Sequence, residues 1–159
     1  SGPVPLIPVP VKVFFNNETI KLISLFEKVT RSKLLDCFED KNGLLIFVVE
    51  EGELKKALGK QVANIKKLEG MLKRKIRVIE FKSDIKNFIK SLIFPMKIRS
   101  VDVGNYGGLE QEEKEEAIIS IEAEDTKTRG IIIGRSGTNL RNYEAIIKKY
   151  YPIKELKVQ

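Results

Sequence analysis

The chain has 159 residues, of which 42% are hydrophobic, so it is long enough for one ordinary domain or two small ones. Its single cysteine and its lack of histidine exclude a disulfide framework, a Cys/His zinc site and any catalysis that needs imidazole. The formal net charge of +7 favours an anionic partner such as nucleic acid. No apolar run approaches the roughly 18 residues of a membrane span, and we expect a cytoplasmic protein without a membrane contact or a cofactor.

The chain begins with residues 1–11, a proline-rich segment that predicts an extended arm or a cloning remnant. Apolar residues then recur at helical spacing over residues 17–33, where Asn17 or Thr19 can cap the helix. The strand-like runs LLDCFED and LLIFVVEE are joined by Asn42-Gly43, a strong hairpin signal. We expect the one cysteine, in the first of these runs, to be a packed core thiol.

A short helix, GELKKALG, follows the hairpin, and then a helix and a strand that end the first half. The second half opens with a helix that Ser83 or Asp84 can cap and that must stop before Pro95. It continues with the strands MKIRSVDVG and AIISIEAE, two helices, and a last strand, IKELKV. An acidic loop at 110–116, between the two strands, is expected to repel RNA, and it is either a solvated hairpin tip or a contact for a basic protein.

Both halves therefore have the predicted order α-β-β-α-α-β, which indicates an α+β protein of two domains, residues 12–82 and 83–159. Each domain is expected to contain a three-stranded sheet with helices packed on one face. Because the junction lacks a Gly/Ser/Pro-rich linker, we expect the two domains to be rigidly joined.

The halves also match residue by residue at an offset of 75. The aligned pairs are Gly59 with Gly134, Lys60 with Arg135, Asn64 with Asn139, Lys66 with Arg141 and Glu69 with Glu144. Positive charge repeats with them, since residues 55–77 hold nine Lys/Arg against one acid and residues 127–157 hold eight against two. Solvent-exposed helix faces would explain one such basic block well, but they explain two matched basic blocks less well.

At the centre of each repeat lies a glycine loop between two helices. The second loop reads Gly-Arg-Ser-Gly at 134–137, and the helix after it begins with unpaired amides and a partial positive charge, which together bind anions. Glycine adds conformational freedom and removes the Cβ that would hold a phosphate away. A plain helix-helix turn is the alternative, whereas a Walker loop is excluded because its lysine is missing.

With this loop, the order of elements resembles a type II KH domain. The tandem arrangement, with LFEKVT, Asp36-Cys37, FVVEEG and ANIKKLE, resembles the archaeal NusA-like transcription elongation and termination factors, which consist of two KH domains. The resemblance covers nearly the whole chain after the arm. It implies binding of single-stranded RNA and association with RNA polymerase or other transcription machinery, and we expect a monomer.

In KH domains the glycine loop clamps about four nucleotides of single-stranded RNA. The resemblance therefore implies RNA contacts for both loops. The assigned residues are Gly134, Arg135, Ser136, Gly137, Thr138, Asn139 and Arg141 in the second loop, and Gly59, Lys60, Gln61, Asn64, Lys66 and Lys67 in the first. Phosphate contact is assigned to the amides of residues 135–138 and to the arginine side chain. The two asparagines have an alternative role, which is to tie each loop to the helix start.

The first loop departs from the family pattern because Val62 stands where a second glycine is expected. A β-branched residue resists positive φ and places a side chain where RNA should approach, so the first domain is expected to bind weakly, in a shifted register, or only as a support. Tyr143, Tyr150 and Tyr151 can stack on bases or pack in the core, and one isoleucine of 131–133 can line a base groove.

Two functional hypotheses stay open. The first is an RNA-binding transcription factor. The second is a KH-type module that docks on polymerase or ribosome, with RNA binding secondary. An enzyme acting on nucleotides is disfavoured because histidine, a metal-ligand cluster and a Walker lysine are all missing from the sequence.

Overall fold

The computed structural model describes residues 6–8, 16–104 and 117–159. The chain divides into two compact units. The first unit is Val11–Lys82, and the second is Ser83–Gln159 together with Ser1–Pro10. The acidic loop at 110–116 lies outside the described residues.

The first unit is built around a mixed three-stranded sheet. Its elements are α1 (Asn17–Thr30), β1 (Leu34–Glu39), β2 (Leu45–Val49), α2 (Leu54–Leu58), α3 (Ala63–Leu72) and β3 (Ile76–Glu80). The central strand, β2, pairs antiparallel with β1 and parallel with β3. The hairpin predicted at Asn42-Gly43 is confirmed, with Gly43 at φ 81° in the connection between β1 and β2.

The core of the first unit lies between the sheet and its helices. Phe26 of α1 stacks on Phe47 of β2 with ring centroids 4.5 Å apart, and both rings are fully buried. Leu45 and Val49 lie in the same cluster because alternate residues of a strand share a face. Cys37 also belongs to this cluster, which confirms the packed thiol expected from the sequence.

The first helix starts and ends at other residues than the sequence pattern predicts. Asn16, rather than Asn17 or Thr19, is the N-cap, and its Oδ1 accepts a hydrogen bond from the Thr19 amide at 2.7 Å. Arg31 adopts the left-handed conformation at φ 56° and ends the helix, so the turn predicted to extend to residue 33 does not form.

The second unit repeats this plan. Its elements are α4 (Ile85–Ile93), β4 (Ile98–Asp102), β5 (Ala117–Ala123), α5 (Thr126–Ile133), α6 (Thr138–Lys148) and β6 (Ile153–Val158). The central strand, β5, again pairs antiparallel on one side and parallel on the other. Of the two predicted caps of α4, Asp84 is the one observed.

Aromatic residues fill the core of the second unit. Phe88 of α4 lies with its ring centroid 5.6 Å from that of Tyr150 and 5.9 Å from that of Tyr151. Both tyrosines are fully buried, so the hypothesis that they stack on bases is wrong, and the alternative of core packing is confirmed.

The order α-β-β-α-α-β and the α+β class predicted from the sequence are thus confirmed in both units. In the part of the chain that the structure describes, every helix is too short or too polar to cross a membrane.

The buried cysteine gives a test of the first core. Burial, and next the negative charge of Asp36, raise the pKa of Cys37 to about 12. The unfolded thiol ionises near pH 8.5, so the folded protein should lose stability as the pH rises from there towards 12. At pH 8 we expect iodoacetamide to modify the native thiol only as fast as the protein unfolds. Alkylation of the native protein at the rate of a free thiol would contradict this packing.

Candidate nucleic-acid interface

The two glycine loops have nearly the same backbone geometry. In the first unit the loop (residues 59–62) joins α2 to α3, and in the second unit the loop (residues 134–137) joins α5 to α6. Gly59 has φ 73° and ψ 177°, and Gly134 has φ 72° and ψ 176°. Each glycine is followed by a tight turn that leads into the next α-helix, with positive φ at Gln61 and Val62 in the first loop and at Ser136 and Gly137 in the second. The sequence repeat therefore extends to the conformation of the loop.

An asparagine at the second position of the following helix fixes each loop. In the second unit the side-chain amide of Asn139 donates to the carbonyl of Ile131 at 3.1 Å. In the first unit Asn64 donates to the carbonyl of Ala57, also at 3.1 Å. These bonds join the end of one helix to the start of the next, which is the structural alternative proposed for this pair from the sequence.

The first glycine of each loop makes room for that asparagine. A Cβ on Gly134 would lie 2.6 Å from Cγ of Asn139, and one on Gly59 would lie 2.8 Å from Nδ2 of Asn64. Both distances are shorter than any real carbon contact. Together with the positive φ, they require glycine at the first position of the loop.

Two of the four amides expected to be open are hydrogen-bonded within the loop. The Gly137 amide donates to the carbonyl of Gly134 at 3.2 Å, and the Thr138 amide donates to the carbonyl of Arg135. The Thr138 hydroxyl donates to that same carbonyl at 2.8 Å. The expectation that these two amides are unpaired is therefore wrong. Among the described residues we find no acceptor for the amides of Arg135 and Ser136, which leaves them as the available donors.

Positively charged side chains lie at the second loop as well. The Arg135 side chain is exposed, and the Arg141 guanidinium lies over the loop, where it donates to the Ser136 carbonyl. The second glycine leaves this surface open, since the nearest atom to a Cβ on Gly137 would be Nη2 of Arg141 at 3.6 Å. The corresponding cations of the first unit, Lys60 and Lys66, are exposed as well, as is Lys67.

Val62 adopts the conformation that its β-branched side chain disfavours. Its φ is 53° and its ψ is 30°, close to the left-handed conformation of Gly137 in the other loop. Val62 therefore takes a positive φ although a β-branched residue is expected to resist it. Such a conformation costs a non-glycine residue about 1–2 kcal/mol. The Val62 side chain is 43% exposed. It therefore covers the surface of the first loop, whereas Gly137, at the equivalent position, leaves the surface of the second loop open.

The helix before the second loop presents a single exposed isoleucine. Ile131 is 45% exposed, whereas Ile132 is fully buried and Ile133 is partly buried. Ile131 is therefore the only one of the three that can contact a ligand extensively. Tyr143 is partly buried on α6.

The N-cap of α5, Asp125, was not predicted from the sequence. Asp125 caps α5 by accepting a hydrogen bond from the Thr128 amide at 2.7 Å. The hydrogen bonds from Thr128 lower the pKa of the Asp125 carboxyl below its ordinary value. An aspartate three residues before a threonine, at the end of a strand, is a recognisable capping signal.

Proteins of similar sequence occur in archaea. The probable transcription termination protein NusA of Methanococcus vannielii is 30% identical over 148 residues, which are 93% of this chain and 80% of that protein. The protein of the same name from Methanocaldococcus jannaschii is 29% identical over 92% of this chain and 75% of its own length. That of Thermoplasma acidophilum is 22% identical over 93% of this chain and 96% of its own length.

A solved structure has a similar fold. The crystal structure of APE1850 matches 91% of this chain and 100% of its own, with a TM-score of 0.70 and 27% sequence identity. No protein-family model matches the chain.

The two glycines of the second loop should differ in their effect on stability. Gly134→Ala combines positive φ with a clash against Asn139, and we expect it to lower the free energy of unfolding by about 3 kcal/mol. Gly137→Ala adds only an ordinary contact and should cost about 1 kcal/mol. Urea unfolding measures both. Equal losses would show that the asparagine does not fix the loop.

Proposed function

Because this chain belongs to the family of archaeal NusA transcription termination proteins, we propose that it holds single-stranded RNA during transcription through its glycine loops, chiefly the second. The single observation that supports this most strongly is the second loop itself. There, two amides without an acceptor among the described residues, two arginines and a glycine without a side chain lie within one short stretch of chain, residues 135–141.

Both units are type II KH domains, with boundaries at residues 12–82 and 83–159. This assignment is supported by the order α-β-β-α-α-β and by the central strand that pairs antiparallel on one side and parallel on the other. It is also supported by the position of the glycine loop between the second and third helices of each unit. A KH loop clamps about four backbone nucleotides.

The amides of Arg135 and Ser136 bind a phosphate of the RNA backbone. They belong to the turn that leads into α6, where the partial positive charge of the helix amino end adds to the attraction. The Arg135 side chain neutralises a neighbouring phosphate. Arg141 adds positive charge and stabilises the loop through its hydrogen bond to the Ser136 carbonyl. Gly137 admits the backbone because it has no side chain.

Bases then lie along α5, against the exposed Ile131. An apolar side chain contacts any base face, so this contact adds affinity with little sequence preference. Asn139 acts from behind the loop, since its amide is bonded to the Ile131 carbonyl. Its contribution to RNA binding is therefore to hold the loop in its binding conformation.

The first loop binds RNA more weakly than the second. Its backbone has the same geometry, but the exposed side chain of Val62 occupies the surface on which a phosphate would lie. Lys60, Lys66 and Lys67 still attract a polyanion at long range, and each can be replaced individually at small cost.

In transcription, the nascent RNA is the ligand for such loops, and RNA polymerase or other transcription machinery is the protein partner. The runner-up is a docking module for which RNA is secondary. A cavity beside the exposed Phe94 on the second unit favours a protein contact in addition to the RNA contact rather than in its place.

The RNA grip is tested by Gly137→Asp. The added carboxylate lies on the path of the phosphates, and we expect the affinity for a U-rich single-stranded RNA to fall at least tenfold, with the fold retained. Counterion release should give wild-type binding a log-log salt slope of about −3 for four phosphates at about −0.7 each. Fluorescence anisotropy measures both quantities. Val62→Asp is the matched control and should lose less. Unchanged affinity in the Gly137 variant would show that the loop is not the site.

The converse change tests the weak first loop. Val62→Gly removes the side chain that covers the first loop, and we expect it to raise RNA affinity severalfold when measured on a chain that already carries Gly137→Asp. In that background binding by the second loop is weakened at least tenfold, so the change reports chiefly on the first loop. No gain in affinity would mean that the valine is not what limits binding there.

A further inference from the structure

A cavity of about 350 Å³ opens on the second unit, away from the glycine loop. Its lining comes from the carboxyl end of α4, the start of β4 and the residue after β5. The residues are Lys90, Phe94, Met96, Lys97, Ile98, Arg99 and Glu124. We call this surface the Phe94 cavity.

An aromatic ring stands at its edge. Phe94 is 71% exposed, which only Ile7 equals among the large apolar side chains of the described residues. Phe94 ends α4, and its extended backbone (φ −46°, ψ 137°) turns the chain out of the helix. Met96 and Ile98, which also line the cavity, are half-buried. A large exposed apolar side chain beside a concave apolar lining is characteristic of a contact surface for another molecule.

Cations surround the apolar lining. The side chains of Lys90, Lys97 and Arg99 are exposed, and Glu124 is the one acid among the lining residues. Arg99 is partly neutralised by Glu122, with Nη1 and Oε1 3.9 Å apart. The cavity is therefore complementary to an apolar group that carries one or two negative charges beside it.

The charges around the cavity distinguish between a peptide and a nucleic acid. A neighbouring cavity of about 280 Å³ shares Arg99 and Glu124 with it and adds Glu122, Asp125 and Arg129. Three carboxylates against two guanidinium groups would repel a strand that carries a phosphate at every nucleotide. A short peptide with few charges avoids that surface and still reaches the lysines.

The cavity is also separate from the RNA loop. Glu124 directly precedes Asp125, the cap of α5, so the cavity lies at the amino end of this helix, while the glycine loop follows its carboxyl end. The eight residues of α5 span about 12 Å at 1.5 Å per residue. One ligand can therefore occupy the loop while another occupies the cavity.

We propose that the Phe94 cavity is a docking site for an acidic protein segment that inserts one large apolar side chain beside Phe94 and places its carboxylates on Lys90 and Lys97. The aromatic ring and the half-buried methyl groups bind the inserted side chain. The lysines select for acidic flanking residues and speed the encounter, as charges at the rim of an interface do.

The experiment uses the full chain with methyl-labelled methionine and isoleucine, observed by NMR. The probe is a five-residue peptide, capped at both ends, with a central phenylalanine and one acidic residue on each side of it, and the control peptide has lysines in place of the acids. We expect the acidic peptide to shift the Met96 and Ile98 methyl signals saturably, and the lysine peptide to leave them in place. Phe94→Ala should weaken the acidic peptide about tenfold, as loss of a central anchor does, and Lys97→Glu should weaken it further.

Met71→Ala is the matched control variant, because Met71 is 52% exposed on α3 of the first unit and should not affect peptide binding. Phe94→Ala should also leave RNA affinity unchanged, which separates this proposal from the RNA grip. The proposal is overturned if the acidic peptide does not shift the Met96 and Ile98 signals at millimolar concentration. It is equally overturned if U-rich RNA shifts them and Phe94→Ala weakens RNA binding as much as Gly137→Asp does.

Discussion

Both loops depend on one packing constraint: an asparagine side chain occupies the space beside the first glycine of the loop, and any other residue at that position would place a Cβ there. Asn139 and Asn64 each bond a carbonyl at the end of the preceding helix, and the space they fill is the space a Cβ of Gly134 or Gly59 would need. This packing sets the angle at which one helix ends and the next begins. The conformation of the loop is therefore fixed by the protein before any ligand arrives.

A preformed loop of this kind separates its polar groups into two sets. The amides of Gly137 and Thr138 are bonded within the loop and stabilise it, whereas those of Arg135 and Ser136 have no acceptor among the described residues. Binding a phosphate then requires little reordering of the chain, and less affinity is lost to conformational entropy. The same division exists in the first unit, where the Val62 amide bonds the carbonyl of Gly59. The two units thus share a scaffold and differ in one side chain on its surface.

The order of elements and the repeat could be predicted from the sequence because they depend on apolar periodicity and on glycine positions, which are local signals. The sequence also indicated a role for the paired asparagines without deciding between packing and RNA contact, since that depends on which carbonyl lies within reach. Whether the tyrosines lie at the surface or in the core could not be predicted from the sequence. Tyr150 and Tyr151 follow a helix in a way that suits either surface or core, and only the tertiary fold places them against Phe88. The positive φ of Val62 is a further case, because the geometry of the loop outweighs the preference of a single residue.

The central claim, that the second loop binds RNA through the amides of Arg135 and Ser136, is tested most directly by backbone amide NMR of the full chain titrated with a short U-rich RNA. We expect the largest shifts at the amides of Arg135 and Ser136, which gain a phosphate acceptor, and smaller shifts at Gly137 and Thr138, whose bonds persist. Shifts spread over the sheet, with the loop amides unmoved at saturation, would contradict the claim.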